Sequence, residues 1–357
     1  MSATATEFCR MAGVEHPIVQ TAMGWVATPE LVAAAAEAGA LGLLAVATLS
    51  PEQADRDIAR VKRLTGRRFG VNFLMEQPGA ADIVDSIVAH GVAVASYSRS
   101  PKREFIERFK EAGILCMPTV GQVRHGVKAV ELGADVVIAQ GAEGGGHTSS
   151  VPTSLLLPQV LDAVEVPVLA AGGFHDGRGL AAALAWGAAG IAMGTRFLLT
   201  AESPVPRATL ERYLAASVGD TVVTAEVDGL PHRMIVNELV GRLLSAPAPL
   251  RLLRALRSAL AYRKLSGASL AELTASALSL RRSQGLSRSQ MLMAANSPVL
   301  IRKAMVEGRP AEGVLPSGEV AGVIDDIPTC AELVARIMKE AAAAQAAAAE
   351  GGRKVAG

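Results

Sequence analysis

The chain has 357 residues, half of them hydrophobic and 19% charged, with a formal net charge of +1 at pH 7. That length buries a large core and suits one large α/β domain with an appendage better than several small domains. The near-neutral charge leaves no electrostatic footprint for nucleic acid, and so few aromatic residues (3%) offer little base-stacking surface. No uncharged apolar run of membrane-spanning length occurs, and Glu7 and Arg10 leave no room for the apolar region of a signal peptide. Cys9, Cys116 and Cys330 form neither a metal nor a disulfide pattern, so a reduced, cytoplasmic protein is expected.

Short apolar runs alternate with segments of helical period up to about residue 200. The runs are Ile18–Thr21, Leu41–Ala47, Phe69–Leu74, Val92–Tyr97, Ile114–Val120, Asp135–Gln140, Val168–Ala171 and Gly190–Gly194. Nearly continuous apolar character is expected of strands covered on both faces. Amphipathic stretches lie between them, at Pro29–Gly39, Pro51–Leu64, Ala81–Gly91, Lys102–Gly113, Val123–Gly133, Ser154–Val164 and Gly177–Gly187. Gly39, Gly91, Gly113, Gly133 and Gly187 read as helix stops, because glycine takes the left-handed conformation cheaply. Eight such units predict a TIM (β/α)8 barrel over residues 1–206 and 314–345. A doubly wound sheet is the rival, but Thr21-Ala22-Met23-Gly24 is not its Gly-rich turn.

Residues 207–313 break the rhythm and read as an inserted helical, substrate-binding subdomain. Its basic stretch (Arg251, Arg254, Arg257, Arg263, Lys264) reads as a solvated face, with an anionic tail such as that of coenzyme A as the sharper alternative. Gly318–Val323 and a helix over Cys330–Ala343 are expected to close the barrel. Residues 346–357 are expected to form a flexible tail.

Ligands of such barrels bind at the C-terminal strand ends. The strand ends carry amides rather than a lysine, a metal-ligand cluster or a Ser/His/Asp set: Gln20, Asn72 and Gln140. Gly172-Gly173 ends the seventh strand and Met193-Gly194-Thr195 the eighth, where barrels often bind phosphate. A neutral heteroaromatic ring with a phosphate tail suits this set, and flavin mononucleotide (FMN) fits that description. The loop Gln140-Gly141-Ala142-Glu143-Gly144-Gly145-Gly146-His147 places an imidazole beside a backbone able to approach a ligand closely, which makes His147 the acid/base candidate. His175 reads as structural beside an Asp176 helix cap, His125 as solvated, and His232 as a loop residue. Trp25 reads equally as a cavity wall or as packing.

Several of these segments resemble the nitronate monooxygenase family, formerly the 2-nitropropane dioxygenases, which is related to the flavin-dependent enoyl-acyl-carrier-protein reductase. The matching segments are Pro17-Ile18-Val19-Gln20-Thr21-Ala22-Met23-Gly24, Gly70-Val71-Asn72, the Gln140–His147 loop, Ala170-Ala171-Gly172-Gly173 and Met193-Gly194-Thr195-Arg196-Phe197, with Gly318–Gly322, Asp325 and Pro328 later. The resemblance implies one non-covalent FMN. It puts Gln20, Met23, Gly24, Asn72 and Gln140 near the ring, and Gly145, Gly172, Gly173, Gly194 and Thr195 at the phosphate. Gly146 and Met193 complete the cofactor set, and His147 aligns with the family's catalytic histidine. The usual family loop has Ala where this chain has Gly144, and Arg where it has Thr148. In this the chain looks closer to actinobacterial members proposed to act on acyl-CoA intermediates of steroid-ring breakdown.

The leading expectation is an FMN-dependent monooxygenase that oxidises nitronates with O2. The alternatives are an NAD(P)H-dependent reductase or dehydrogenase acting on an enone or acyl-CoA, and a non-catalytic flavin-binding protein. Small-molecule substrates are expected in place of nucleic acid or membrane partners, no metal is expected, and a homodimer is allowed.

Overall fold

The computed structural model describes residues 6–98, 101–245 and 296–351. Eight parallel strands close into a barrel: β1 (Ile18–Gln20), β2 (Leu41–Ala45), β3 (Gly70–Phe73), β4 (Val94–Ser98), β5 (Leu115–Val120), β6 (Val137–Gln140), β8 (Val168–Ala171) and β9 (Gly190–Met193). These are the eight apolar runs of the sequence. Closure comes from β9 pairing with β1, with Ile18 beside Ile191 and Gln20 beside Met193. The two-residue strand β7 (Gly146–His147) lies outside the barrel.

Side chains from both layers of each strand are buried. Val19, Leu41, Leu43, Met117, Ile138 and Leu169 belong to one cluster with Phe8, Cys9 and Ala12 of a short helix, α1 (Glu7–Ala12). Thr6 Oγ1 ties this helix to the carbonyl of Ala189, just before β9, so α1 plugs the N-terminal end of the barrel. Less than two turns long, α1 shows no periodicity that a sequence reading could catch. Cys116 is fully buried in β5, where burial and then the charge of Asp135 push its thiol up to about 12, far from nucleophilic use.

The outer layer consists of α2 (Pro29–Glu37), α3 (Pro51–Leu64), α4 (Ala80–Ala89), α5 (Arg103–Glu111), α6 (Val123–Glu131), α7 (Thr153–Ala163) and α8 (Gly177–Ala185). The five predicted helix-stop glycines all take left-handed dihedrals. Ser50 caps α3 by accepting from Gln53 N, and Asp176 caps α8 by accepting from Gly179 N, as predicted for the latter.

Beyond β9 come the short helix α9 (Thr195–Leu198) and α10 (Arg207–Leu214). The region expected to be wholly helical then turns to strand: β10 (Thr221–Thr224) pairs antiparallel with β11 (His232–Ile235), and β11 pairs with β7. The run of β-branched residues Thr221-Val222-Val223-Thr224 favours that pairing over helix. The helices α11 (Glu238–Leu244) and α12 (Asn296–Met305) follow; the basic stretch 251–264 lies outside the described residues. Gly318–Val323 was expected to close the barrel, but Glu319–Val323 form a 3-10 turn over its C-terminal end. The last helix, α13 (Cys330–Ala349), packs against α8 and α2 and fills the eighth place in the outer ring. It runs six residues past the expected end, because alanine is the strongest helix former. No helix among the described residues is long and apolar enough to cross a membrane.

Candidate active site

A cavity of about 930 Å3 opens at the C-terminal ends of the strands. Twelve of the predicted site residues line it: Met23, Gly24, Asn72, Gln140, Gly145, Gly146, His147, Gly172, Gly173, Met193, Gly194 and Thr195. Gln20 does not. It still lies within the closed strand layer, beside Gly42 and Met193, and its buried side chain donates to the Thr21 carbonyl at 2.5 Å. Trp25 lies outside the cavity and packs on the core.

One wall is a cradle of backbone. Gly172 and Gly173 turn through left-handed dihedrals, and neither amide donates to a protein acceptor among the described residues. Gly194 and Thr195 stand at the start of α9, and Thr195 Oγ1 accepts from Gly318 N at 2.9 Å. Gly145 comes so close to the 317–318 backbone that a Cβ there would sit 2.5 Å from Gly318 N. Four chain segments therefore converge on one small space. Gly318 was missing from the predicted site, although its segment had been noted as part of the resemblance.

The loop after β6 is braced from three sides. The Glu143 carboxylate accepts from Thr153 N and Thr153 Oγ1, at the positive end of α7. Its carbonyl accepts from Glu319 N. Gln140 Nε2 donates to the His147 carbonyl at 3.0 Å. A Cβ on Gly144 would meet that same Gln140 amide at 2.7 Å, so an alanine there would force the Gln140 side chain to shift.

His147 is 41% exposed, and its Nε2 lies 2.9 Å from Asp228 Oδ2. His232 sits directly opposite it on β11, with Nδ1 3.2 Å from the same carboxylate oxygen and the two rings 4.6 Å apart. The sequence reading made His232 a loop residue; it is a buried strand residue that lines the cavity. Asp228, only 2% exposed, was missed altogether. Its other oxygen accepts from Leu230 N, a side-chain turn that Asp-Gly-Leu-Pro permits. Together the three side chains form a His/Asp/His set with donor atoms within 4.8 Å of one another, a cluster that no sequence spacing displayed.

Burial alone would raise the Asp228 carboxyl. Hydrogen bonds from His147 and His232, and their charges, outweigh it and hold the carboxyl far below its ordinary range. A carboxyl lowered in the folded state stabilises the fold above its unfolded value, near pH 4, and loses that contribution as pH falls toward the folded value. Asp228→Asn is therefore expected to cost about 1–3 kcal/mol at pH 7, with the gap to wild type shrinking below about pH 4. Urea unfolding of both proteins across that range checks the sign.

Residues 6–95 and 82–340 match a family model described as nitronate monooxygenase. The chain belongs to the nitronate monooxygenase family. Within that family it is 47% identical, over 96% of its length and 97% of the relative's, to the (3aS,4S,5R,7aS)-5-hydroxy-7a-methyl-1-oxo-octahydro-1H-indene-4-carboxyl-CoA dehydrogenase of Rhodococcus jostii. It is 31% identical to a probable nitronate monooxygenase of Staphylococcus saprophyticus, over 67% of this chain and 81% of the relative. Its fold superposes on FabK of Thermotoga maritima with a TM-score of 0.80, at 30% identity, covering 97% of this chain and 98% of that one. This nitronate monooxygenase family member is thus an oxidoreductase on a (β/α)8 barrel, with small-molecule-converting relatives.

Proposed function

We propose that the protein dehydrogenates a bulky cyclic acyl-CoA thioester with a bound FMN, using His147 as acid/base. The observation that carries this reading is the cavity. At about 930 Å3 it lies at the upper end of ligand-site volumes and offers room for a large substrate beside a flavin. Residues of the 207–313 insertion, Leu230, Pro231, Ile301 and Met305, form its apolar outer wall. The much higher identity to the Rhodococcus acyl-CoA dehydrogenase than to the staphylococcal protein supports the same choice.

The residues present fit a flavin. The donor-rich turn at Gly172-Gly173, with Gly194 and Thr195, suits a terminal phosphate. Asn72 and Gln140 offer neutral amides to a ring that both donates and accepts. Bound FMN supplies the two-electron redox capacity that side chains lack.

The chain's own residues handle the proton. His147 takes it from the carbon α to the thioester carbonyl, and Asp228 holds the imidazole in one orientation and offsets its positive charge. His232, paired beside His147 across the two strands, shares the same carboxylate oxygen and fixes its place. Leu230, Pro231, Ile301 and Met305 keep water from the reacting carbon.

Nitronate oxidation is the second reading, favoured by the family model and the staphylococcal relatives. Anaerobic flavin bleaching separates the two. The hydroxy-indane-carboxyl-CoA thioester of the Rhodococcus relative, or a simpler cyclic acyl-CoA, is expected to bleach the flavin faster than an alkyl nitronate, NADH or NADPH. Rapid bleaching by the nitronate with none by either thioester would replace this reading with the second. Adding O2 or NAD(P)+ to the reduced protein then identifies the electron acceptor.

A further inference from the structure

The cavity carries charge that the reaction at His147 does not use. Arg124, His125 and Lys128 on α6 line it, and all three are exposed. Arg124 and Lys128 are four residues apart and share one helix face. Among the described residues, Glu143 is the one carboxylate lining this cavity, and it is taken up by Thr153. Lys128 reaches Glu131 at 3.0 Å, a solvent-exposed pair of small worth. Arg124 makes no ion pair among the described residues.

Two further observations point to an anion. Burial and then the charge of Arg124 lower the pKa of His125, so Arg124 stands beside an imidazole that is held toward its neutral, hydrogen-bonding form, and Arg124 and Lys128 carry the positive charge. The same hollow also runs unbroken from these side chains to His147 and His232. A substrate with its reacting carbon at His147 and a polar anionic end would place that end within reach of α6.

We infer that Arg124, His125 and Lys128 form the subsite for the phosphate groups of the coenzyme A thioester. This rests on the acyl-CoA reading above. It places on α6 the kind of anion contact that the sequence reading gave only as the alternative for residues 251–264, which lie outside the described residues. The recognised chemistry is an adenosine nucleotide with a diphosphate and a ribose phosphate. NADPH carries the same groups, so both ligands enter the test.

The test is calorimetric titration of the FMN-loaded protein with coenzyme A, 3′-dephospho-coenzyme A, pantetheine and NADPH. The variants are Arg124→Glu, Lys128→Glu and the pair. Wild type is expected to bind coenzyme A at least about tenfold tighter than pantetheine, as one or two charge-assisted phosphate contacts supply. That ratio collapses in the paired variant and shrinks with added salt. Flavin absorbance and pantetheine affinity report whether the variants remain folded. A paired variant that keeps the wild-type ratio overturns the subsite and leaves the acyl-CoA reading standing. A wild type that binds neither coenzyme A nor pantetheine overturns both. Loss of NADPH binding with coenzyme A binding unchanged reassigns the cations to a dinucleotide and overturns the proposal.

Discussion

Replacing His147 with alanine is expected to leave FMN bound and to lower turnover by about 10^2- to 10^4-fold, the usual worth of a positioned acid/base group. The separation of the two readouts follows from the geometry. The backbone of residue 147 is held by Gln140 Nε2 and by the β7–β11 pairing, neither of which needs the imidazole. The glycine turns proposed to hold the phosphate stand on other segments, at Gly172-Gly173 and Gly194-Thr195. The truncation leaves Asp228 with one histidine partner, His232, so the carboxylate stays paired. Visible spectra give the flavin content, and stopped-flow reduction gives the rate. Flavin reduction at the wild-type rate would remove His147 from the chemistry and leave His232 as the other imidazole on Asp228. Asp228→Asn provides the graded comparison: a positioning residue is expected to cost about 10- to 100-fold in kcat, less than the base itself.

The barrel was legible because its grammar is local. Apolar runs of four to seven residues, helical periods and glycine stops repeat along the chain, and each is decided by its immediate neighbours. The glycine cradle was legible for a related reason: the strand ends are fixed once the strands are, so Gly172-Gly173 and Met193-Gly194-Thr195 had to meet. The partners of His147 were not legible. Asp228 is 81 residues away and lies in an insertion whose placement depends on β11 pairing with β7. A two-residue strand carries no alternation pattern, so the His147–His232 register could not be written from periodicity. The one available signal is Asp-Gly-Leu-Pro-His itself, a turn that holds two ionisable residues. Arg124, His125 and Lys128 were hidden differently. Helical position was predictable, but which helix lines the cavity depends on how far each projects beyond its strand.

The second large effect concerns Gly145. Its dihedrals are ordinary, so the cost of a side chain there is contact alone. A Cβ would sit 2.5 Å from Gly318 N, 2.6 Å from the Ser317 carbonyl carbon and 3.1 Å from Ser317 Cα. All three are backbone atoms, which cannot swing aside as a side chain can. Relief requires the 144–147 loop or the 317–318 segment to move, and both are tethered, to Thr153 and to Thr195. Moving either opens the space where four segments converge, the proposed phosphate cradle. Gly145→Ala is therefore expected to weaken FMN binding by about 10- to 100-fold and to cost about 1–3 kcal/mol of stability, the range for forced overpacking. Gly66→Ala is the matched control, since a Cβ there meets nothing within 4 Å. Titrating FMN into the three apo-proteins measures the loss directly. A Gly145→Ala protein that binds FMN as tightly as the Gly66→Ala control would mean that the 144–147 loop does not bear on the cofactor, and would move the phosphate site to the Gly172-Gly173 and Gly194-Thr195 turns alone.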